Sequence, residues 1–244
     1  MSYPRLRLLV VTSCTGKKRF HPDHPLELED FRNPDRRLAR LLELAEYKCA
    51  AGQMYAGLQH LRVMEGVSIL RKALGNECVD VAILSAGYGL ISEHQEIIPY
   101  EVTFNTFRQS REVDEWANFL EIHERFEKKI ASYELVFVLL GNKYLRSLSL
   151  PVTTRENQTV IFLASKSSAS AIPILAARTF IMPLTLAEAK RYSYGLVGLK
   201  GFLLKQFAWG ASQNPDAIAK VYRKPECFEQ VINAISKLKT SRSA

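Results

Sequence analysis

The chain has 244 residues, enough to bury a sizeable core as one large domain. A hydrophobic fraction of 47% and a charged fraction of 24% are those of a globular protein, and no apolar run approaches the ~20 residues of a membrane span. With 33 Lys and Arg against 25 Asp and Glu the net charge is +8, which makes a polyanion a reasonable partner.

The N-terminal MSYPRLRLLVV is basic and then apolar, but it lacks the length and small-residue cleavage site of a secretory signal. Cys14, Cys49, Cys78 and Cys227 are scattered without a close pair and suit a reducing compartment, so the cytoplasm is expected. Leu6–Thr12 is apolar and β-branched and reads as the first strand. It stops at Ser13-Cys14-Thr15-Gly16-Lys17-Lys18-Arg19, a loop of small polar and basic residues able to cradle an anion, with Ser13 and Lys17 as substrate contacts. A lone cysteine at a strand end is either a small packing residue or a nucleophile; adjacent Lys17 and Lys18 favour the second, because nearby positive charge lowers a thiol pKa. His21 and His24 follow, but no second Cys/His pair completes a tetrahedral set, and no metal or other cofactor is expected.

Asp35–Ala50 has helical periodicity, with Leu38, Leu41, Leu42 and Ala45 on one face. A second helix opens at Gln53–His60 and runs to about Leu74; Tyr55 and His60 either line a site or pack beneath it. Val79–Leu84 has the all-apolar look of a strand buried on both faces, and breaks at Ser85-Ala86-Gly87-Tyr88-Gly89. The loop goes on through Glu93 and His94 to Pro99-Tyr100-Glu101, a concentration of tyrosine and carboxylate where open α/β sheets bind ligands. Asp114–Ala131 reads as one amphipathic helix, with Trp116, Phe119, Leu120, Ile122 and Phe126 available to face the core. Leu135–Leu140 and Thr159–Ala164 are further buried strands, ending at Gly141-Asn142-Lys143-Tyr144 and Ser165-Lys166-Ser167-Ser168. Four strand ends rich in small residues, three of them with lysine, predict an anion-binding crevice with Ser85, Gly87, Asn142, Lys143 and Lys166 among its contacts.

In the last third, residues 185–210 read as helix, glycine-punctuated turn (Gly195–Gly201) and helix. That is the form of a helix-hairpin-helix holding a nucleic-acid backbone, and Lys190, Arg191, Gly198, Lys200, Gly201 and Lys205 would contact DNA there. Two packed helices brought close by glycine explain the same pattern. A final helix, Phe228–Leu238, precedes a basic tail, Lys239–Ala244. The fold class expected is α/β: a single compact domain over residues 1–244, with a mainly parallel sheet flanked by helices.

Three stretches resemble the YaaA-like superfamily: Tyr55-Ala56-Gly57-Leu58-Gln59, Leu84-Ser85-Ala86-Gly87-Tyr88-Gly89 and Pro99-Tyr100. Within it the chain is most similar to the DpdC subgroup of bacterial DNA 7-deazaguanine modification systems. The first loop also resembles the catalytic domain of archaeosine synthase, through Cys14, Lys18, Phe20 and His24, with Tyr100-Glu101 matching a tyrosine-acidic pair. It departs from that domain at Ser13, at Arg19 and in the histidine offset. The resemblance implies hydration of the nitrile of 7-cyano-7-deazaguanine in DNA to the amide. Cys14 would attack, Lys18 would assist, Tyr88 or Tyr100 would protonate nitrogen, Glu101 (or Glu93) would activate water, and Tyr55 would line the site. DNA carrying the modified base and other proteins of the modification system are the partners implied, with no membrane. Two other readings stay open: a YaaA-like DNA-binding stress protein without turnover, and an enzyme processing nucleotides or N-glycosidic bonds with Glu101 as acid or base.

Overall fold

The computed structural model describes residues 6–240, with side chains through residue 235. The first strand, β1 (Leu8–Ser13), is a Leu/Val run buried on both faces, the signature of a central parallel strand. Two surface helices follow, α1 (Leu28–Arg32) and α2 (Pro34–Glu43), then the two-residue β2 (Cys49–Ala50), the single turn α3 (Ala51–Met54) and the long α4 (Leu58–Leu74). The chain returns to the sheet as β3 (Val79–Ser85), folds back as β4 (Gly89–Ser92), and pairs β5 (Glu96–Ile97) with β2. Next come α5 (Ser110–Phe119), α6 (Ile122–Ile130), β6 (Leu135–Leu139), α7 (Asn142–Arg146), β7 (Thr159–Ser165), α8 (Lys166–Ala169) and β8 (Arg178–Leu184). The last helices are α9 (Leu186–Arg191), α10 (Leu196–Gln213), α11 (Asp216–Arg223) and α12 (Cys227–Thr240); residues past Thr240, and so the end of the basic tail, lie outside the described residues.

The main sheet has the order β4-β3-β1-β6-β7-β8, parallel throughout except for β4 on β3. The four strands expected from the sequence are its four central neighbours, and the fold is α/β as expected. From β1 the chain first builds outward through α4 to β3, then returns past β1 to lay down β6 and everything beyond it. The connections therefore diverge between β1 and β6, and their carboxyl ends open the crevice where such sheets bind ligands. On one face of the sheet Phe137 of β6 packs against Phe207 of α10 and Phe228 of α12.

Several helical expectations need correcting. Helix α2 buries none of its residues: Leu38 and Leu42 are 62% and 72% exposed, because only Leu41 reaches the core and the chain burial resumes at Leu44. The single helix over Asp114–Ala131 is two, broken where Glu121 takes a left-handed conformation (φ 54°), and Phe119 is left 55% exposed at the end of the first. No hairpin stands at Gly195–Gly201: Gly195 caps α10, which is continuous from Leu196. The glycines serve close helix packing instead. A Cβ on Gly201 would stand 2.4 Å from the Gln59 carbonyl oxygen of α4, so only glycine lets the two helices meet at this distance.

Candidate functional site

Cys14 lies at the β1 side of the crevice and Tyr144, carried by α7 just after β6, at the other. The Cys14 amide donates to the Leu84 carbonyl (2.9 Å), tying the loop to β3, and the Cys14 Sγ meets the Tyr144 Oη at 3.1 Å, the sulfur being 9% exposed as a residue. Tyr144 also reaches Thr103 Oγ1 at 3.3 Å.

Beside this pair runs a chain of buried hydroxyls. Ser85 Oγ, at the end of β3, accepts from the amides of Gly87 (3.2 Å) and Tyr88 (3.0 Å) and lies 2.7 Å from Tyr100 Oη. With both lone pairs engaged, Ser85 must donate to Tyr100. Tyr100 then keeps its own proton for Tyr55 Oη, 2.8 Å away, or for Cys14, with which it also bonds. Burial, followed by the electrostatic influence of Cys14, raises Tyr100, Tyr55 and Tyr144 above the ordinary phenol range, so all three keep their protons at neutral pH.

Lys18 completes the cluster. Its loop is held by short main-chain links, Arg19 N to Met54 O (2.7 Å) and Ala56 N to Lys17 O (3.0 Å), which lay Lys18 beside Tyr55. Although only 8% exposed, its ammonium has no carboxylate in salt-bridge contact among the described residues; it lies 4.6 Å over the Tyr100 ring and 3.4 Å from the Gly16 carbonyl oxygen. Burial lowers its pKa, and the nearby Cys14 and Glu101 charges oppose that. Lys18, Tyr100 and Glu101 line a cleft of about 360 Å³ together with Phe20, His21 and Glu27, a volume suited to a small ligand. Glu101 is exposed at its rim, its amide donating to Leu26 O (2.7 Å).

Other expected residues fall elsewhere. Tyr88 is not a free donor: its hydroxyl donates to Ile98 O (3.2 Å) and accepts from Ile98 N (3.1 Å), and burial pushes its pKa up to about 12. Its ring, with Phe31, instead braces Tyr100 at centroid distances of 5.3 and 5.8 Å, and a Cβ on Gly87 would strike both Phe31 and Tyr100. Glu93 cannot substitute for Glu101, because the antiparallel β4 carries it back beside the start of β3, where Arg71 holds both its oxygens. His60 lies behind Tyr55, its Nε2 at the Gly52 carbonyl (2.9 Å), and burial lowers its pKa. Asn142 joins the ends of β6 and β7 by accepting from Ser165 (2.7 Å) and Ser168 (2.6 Å), while Lys143 fastens the loop carbonyls of Asn105 and Phe107. Ser13 is half-buried at the end of β1, and Lys17 and Lys166 are exposed at the crevice edge. Among the described residues no group of three or more His, Cys, Asp or Glu gathers as a metal site.

The six residues assigned to a DNA-contacting hairpin are dispersed by the continuous α10. Lys200 turns inward and donates to the Leu140 carbonyl at the end of β6, burial depressing its pKa to about 8. Lys205 pairs with Glu65 at 2.6 Å and Arg191 with Glu229 at 2.8 Å; Gly198 and Gly201 face α4, and Lys190 is exposed without an ion pair among the described residues. Tyr144 and Lys200 were missed as crevice residues. For Tyr144 a signal existed, since it closes the Gly-Asn-Lys-Tyr stretch at a strand end; for Lys200 none did, because its side chain arrives from a helix distant in sequence.

The model of a family of unknown function, DUF6884, matches residues 43–177, just over half the chain. The chain belongs to that family. The match takes in Tyr55, Ser85, Tyr100, Glu101 and Tyr144, while Cys14, Lys18 and α10 lie outside it. A search of the curated proteins finds no match. Among the described residues no helix is long and apolar enough to cross a membrane.

Proposed function

We propose that this chain is a YaaA-like enzyme of the DpdC subgroup, working in the cytoplasm without a metal, that hydrates the nitrile of 7-cyano-7-deazaguanine in DNA to the amide. The observation that carries the reading is the Cys14–Tyr144 contact at 3.1 Å across the crevice, flanked by Tyr100 and the buried Lys18. Nitrile hydration needs a nucleophile for carbon, acids for nitrogen and a base for water, and these groups are of the required kinds.

Cys14, in the electrostatic field of the Lys18 ammonium, adds as thiolate to the nitrile carbon. A C–S bond forms, one C–N π bond opens, and the nitrogen takes a proton from Tyr100 or Tyr144, giving a thioimidate. Glu101 at the cleft rim then takes a proton from water as its oxygen adds to the same carbon, and the nitrogen receives its second proton through Lys18. Collapse breaks the C–S bond, the electron pair returns to sulfur, and as the carbonyl forms the remaining water proton passes to the phenolate left by the first step. The phenol, carboxylate, ammonium and thiolate are thereby restored, and the net change is one water added to the nitrile. A base stacked in a duplex could not reach Cys14, so the target is flipped out or single-stranded.

The test is incubation with an oligonucleotide carrying 7-cyano-7-deazaguanine, followed by nucleoside mass analysis. Gain of one water on that base, lost in Cys14→Ser, is expected; an unchanged base under conditions where the oligonucleotide binds would reject the reaction.

A further inference from the structure

A second cavity, of about 480 Å³, lies on the other side of the Phe31–Tyr88 pair from the candidate active site, between α2, the turn after β3 and the α5–α6 corner. Helix α2 carries three arginines: Arg36 pairs with Asp30 (2.5 Å) and Arg40 with Glu43, but the Arg37 side chain has no carboxylate and no hydrogen-bond partner among the described residues. Arg37 lines the cavity, its guanidinium 5.0 Å from the Phe31 ring centroid and 5.3 Å from that of Tyr88, with its Nε buried and unsatisfied. The cavity is also lined by Gln95 and by the exposed apolar side chains of Leu38 and Phe119.

An unpaired guanidinium fixed by two rings is preorganised for an oxyanion, and a phosphate satisfies its fork of donors. The apolar faces beside it suit a planar base, since stacking on an aromatic ring is the sequence-tolerant part of single-strand binding. The rings that hold Arg37 are the same rings that brace Tyr100, so one aromatic layer separates this cavity from the cleft of Lys18 and Glu101. We propose that this cavity receives the nucleotide neighbouring the reacting one in a polynucleotide strand, its phosphate on Arg37 and its base against Phe119 and Leu38. The proposal rests on the nucleic-acid part of the function given above, and not on the nitrile chemistry.

The test uses an unmodified single-stranded oligonucleotide, so that no turnover enters. Fluorescence anisotropy across roughly 50–200 mM salt should give a log–log slope that falls by about 0.7 in Arg37→Met, the loss of one phosphate contact, with affinity reduced about tenfold. Arg37→Lys keeps the charge and should keep the slope, while Phe119→Ala should weaken binding at unchanged slope. Wild-type slope in Arg37→Met, or no binding of the strand by the wild-type chain, overturns the proposal. So does Arg37-dependent binding of a glutamate-rich peptide that the oligonucleotide cannot displace. Arg37-dependent strand binding by a chain that never hydrates the nitrile would reject the reaction and uphold this site.

Discussion

Two buried polar networks sit at opposite ends of the same strand, and they are built on different principles. At the start of β3, Arg71 spans from the Val79 carbonyl to both oxygens of Glu93, a closed arrangement in which every charge has its opposite. At the other end, Ser85 leads into Tyr100, Tyr55, Cys14 and Tyr144, and the buried Lys18 beside them has a ring and a carbonyl where a carboxylate would satisfy it. A buried pair whose charges match serves the scaffold. A buried amine at a cleft, beside a tyrosine bonded to a buried thiol, is an arrangement of the kind found at reactive sites, where low-dielectric surroundings strengthen electrostatic interactions.

The contrast can be broken by removing one group from each network. Cys14→Ser should lose turnover by several orders of magnitude while still binding modified DNA, since a hydroxyl is a far poorer nucleophile than a thiol at neutral pH. Steady-state kinetics with an equilibrium binding control reads this. Glu93→Gln should instead lower stability by about 3–5 kcal/mol, because Arg71 would be left buried and unpaired, with turnover per folded molecule unchanged. Denaturant unfolding with active-site titration separates the two effects. Lys18→Met belongs with Cys14: turnover should drop roughly 100-fold, as when one preorganised charge is withdrawn from a reacting centre. Stability should hold or rise, because a poorly satisfied buried ammonium is lost.

A smaller effect sharpens the comparison through pH. Lys200, buried at the end of β6, has its pKa lowered from 10.5 to about 8, so between those values the unfolded chain binds more protons than the folded one. Stability contributed by this residue is therefore absent below about pH 8, grows as pH rises through the window and is complete above 10.5. Lys200→Met should flatten that rise in urea-unfolding free energy measured from pH 7.5 upward.

The central strands were legible because each is a continuous run of apolar, largely β-branched residues, and such runs have few alternatives. Strand β8 was not, since its sequence RTFIMPL carries arginine and proline and it lies half-exposed at the sheet edge. The short β4 escaped too, being an antiparallel return of four residues that begins on a glycine. At the site, Cys14, Lys18, Tyr55, Ser85 and Tyr100 could be named from their positions at strand ends and loops. Tyr144's contact with the sulfur depends on the β1–β6 pairing, which is long-range and invisible in local pattern. Gly198 and Gly201 misled because glycine spacing looks the same whether it opens a hairpin for phosphate or lets one helix approach another; only the α4 contact distinguishes them.

The covalent role of Cys14 is the claim on which the rest turns. Attack on the nitrile needs no carboxylate, whereas release of the thioimidate needs activated water, so Glu101→Gln should capture the base and stall. Intact-mass analysis of denatured Glu101→Gln protein after incubation with an oligonucleotide carrying 7-cyano-7-deazaguanine should find the DNA attached, and peptide mapping should place it on Cys14. Absence of any adduct, together with continued turnover in Cys14→Ser, would mean that water attacks the nitrile directly and that Cys14 only packs against Tyr144.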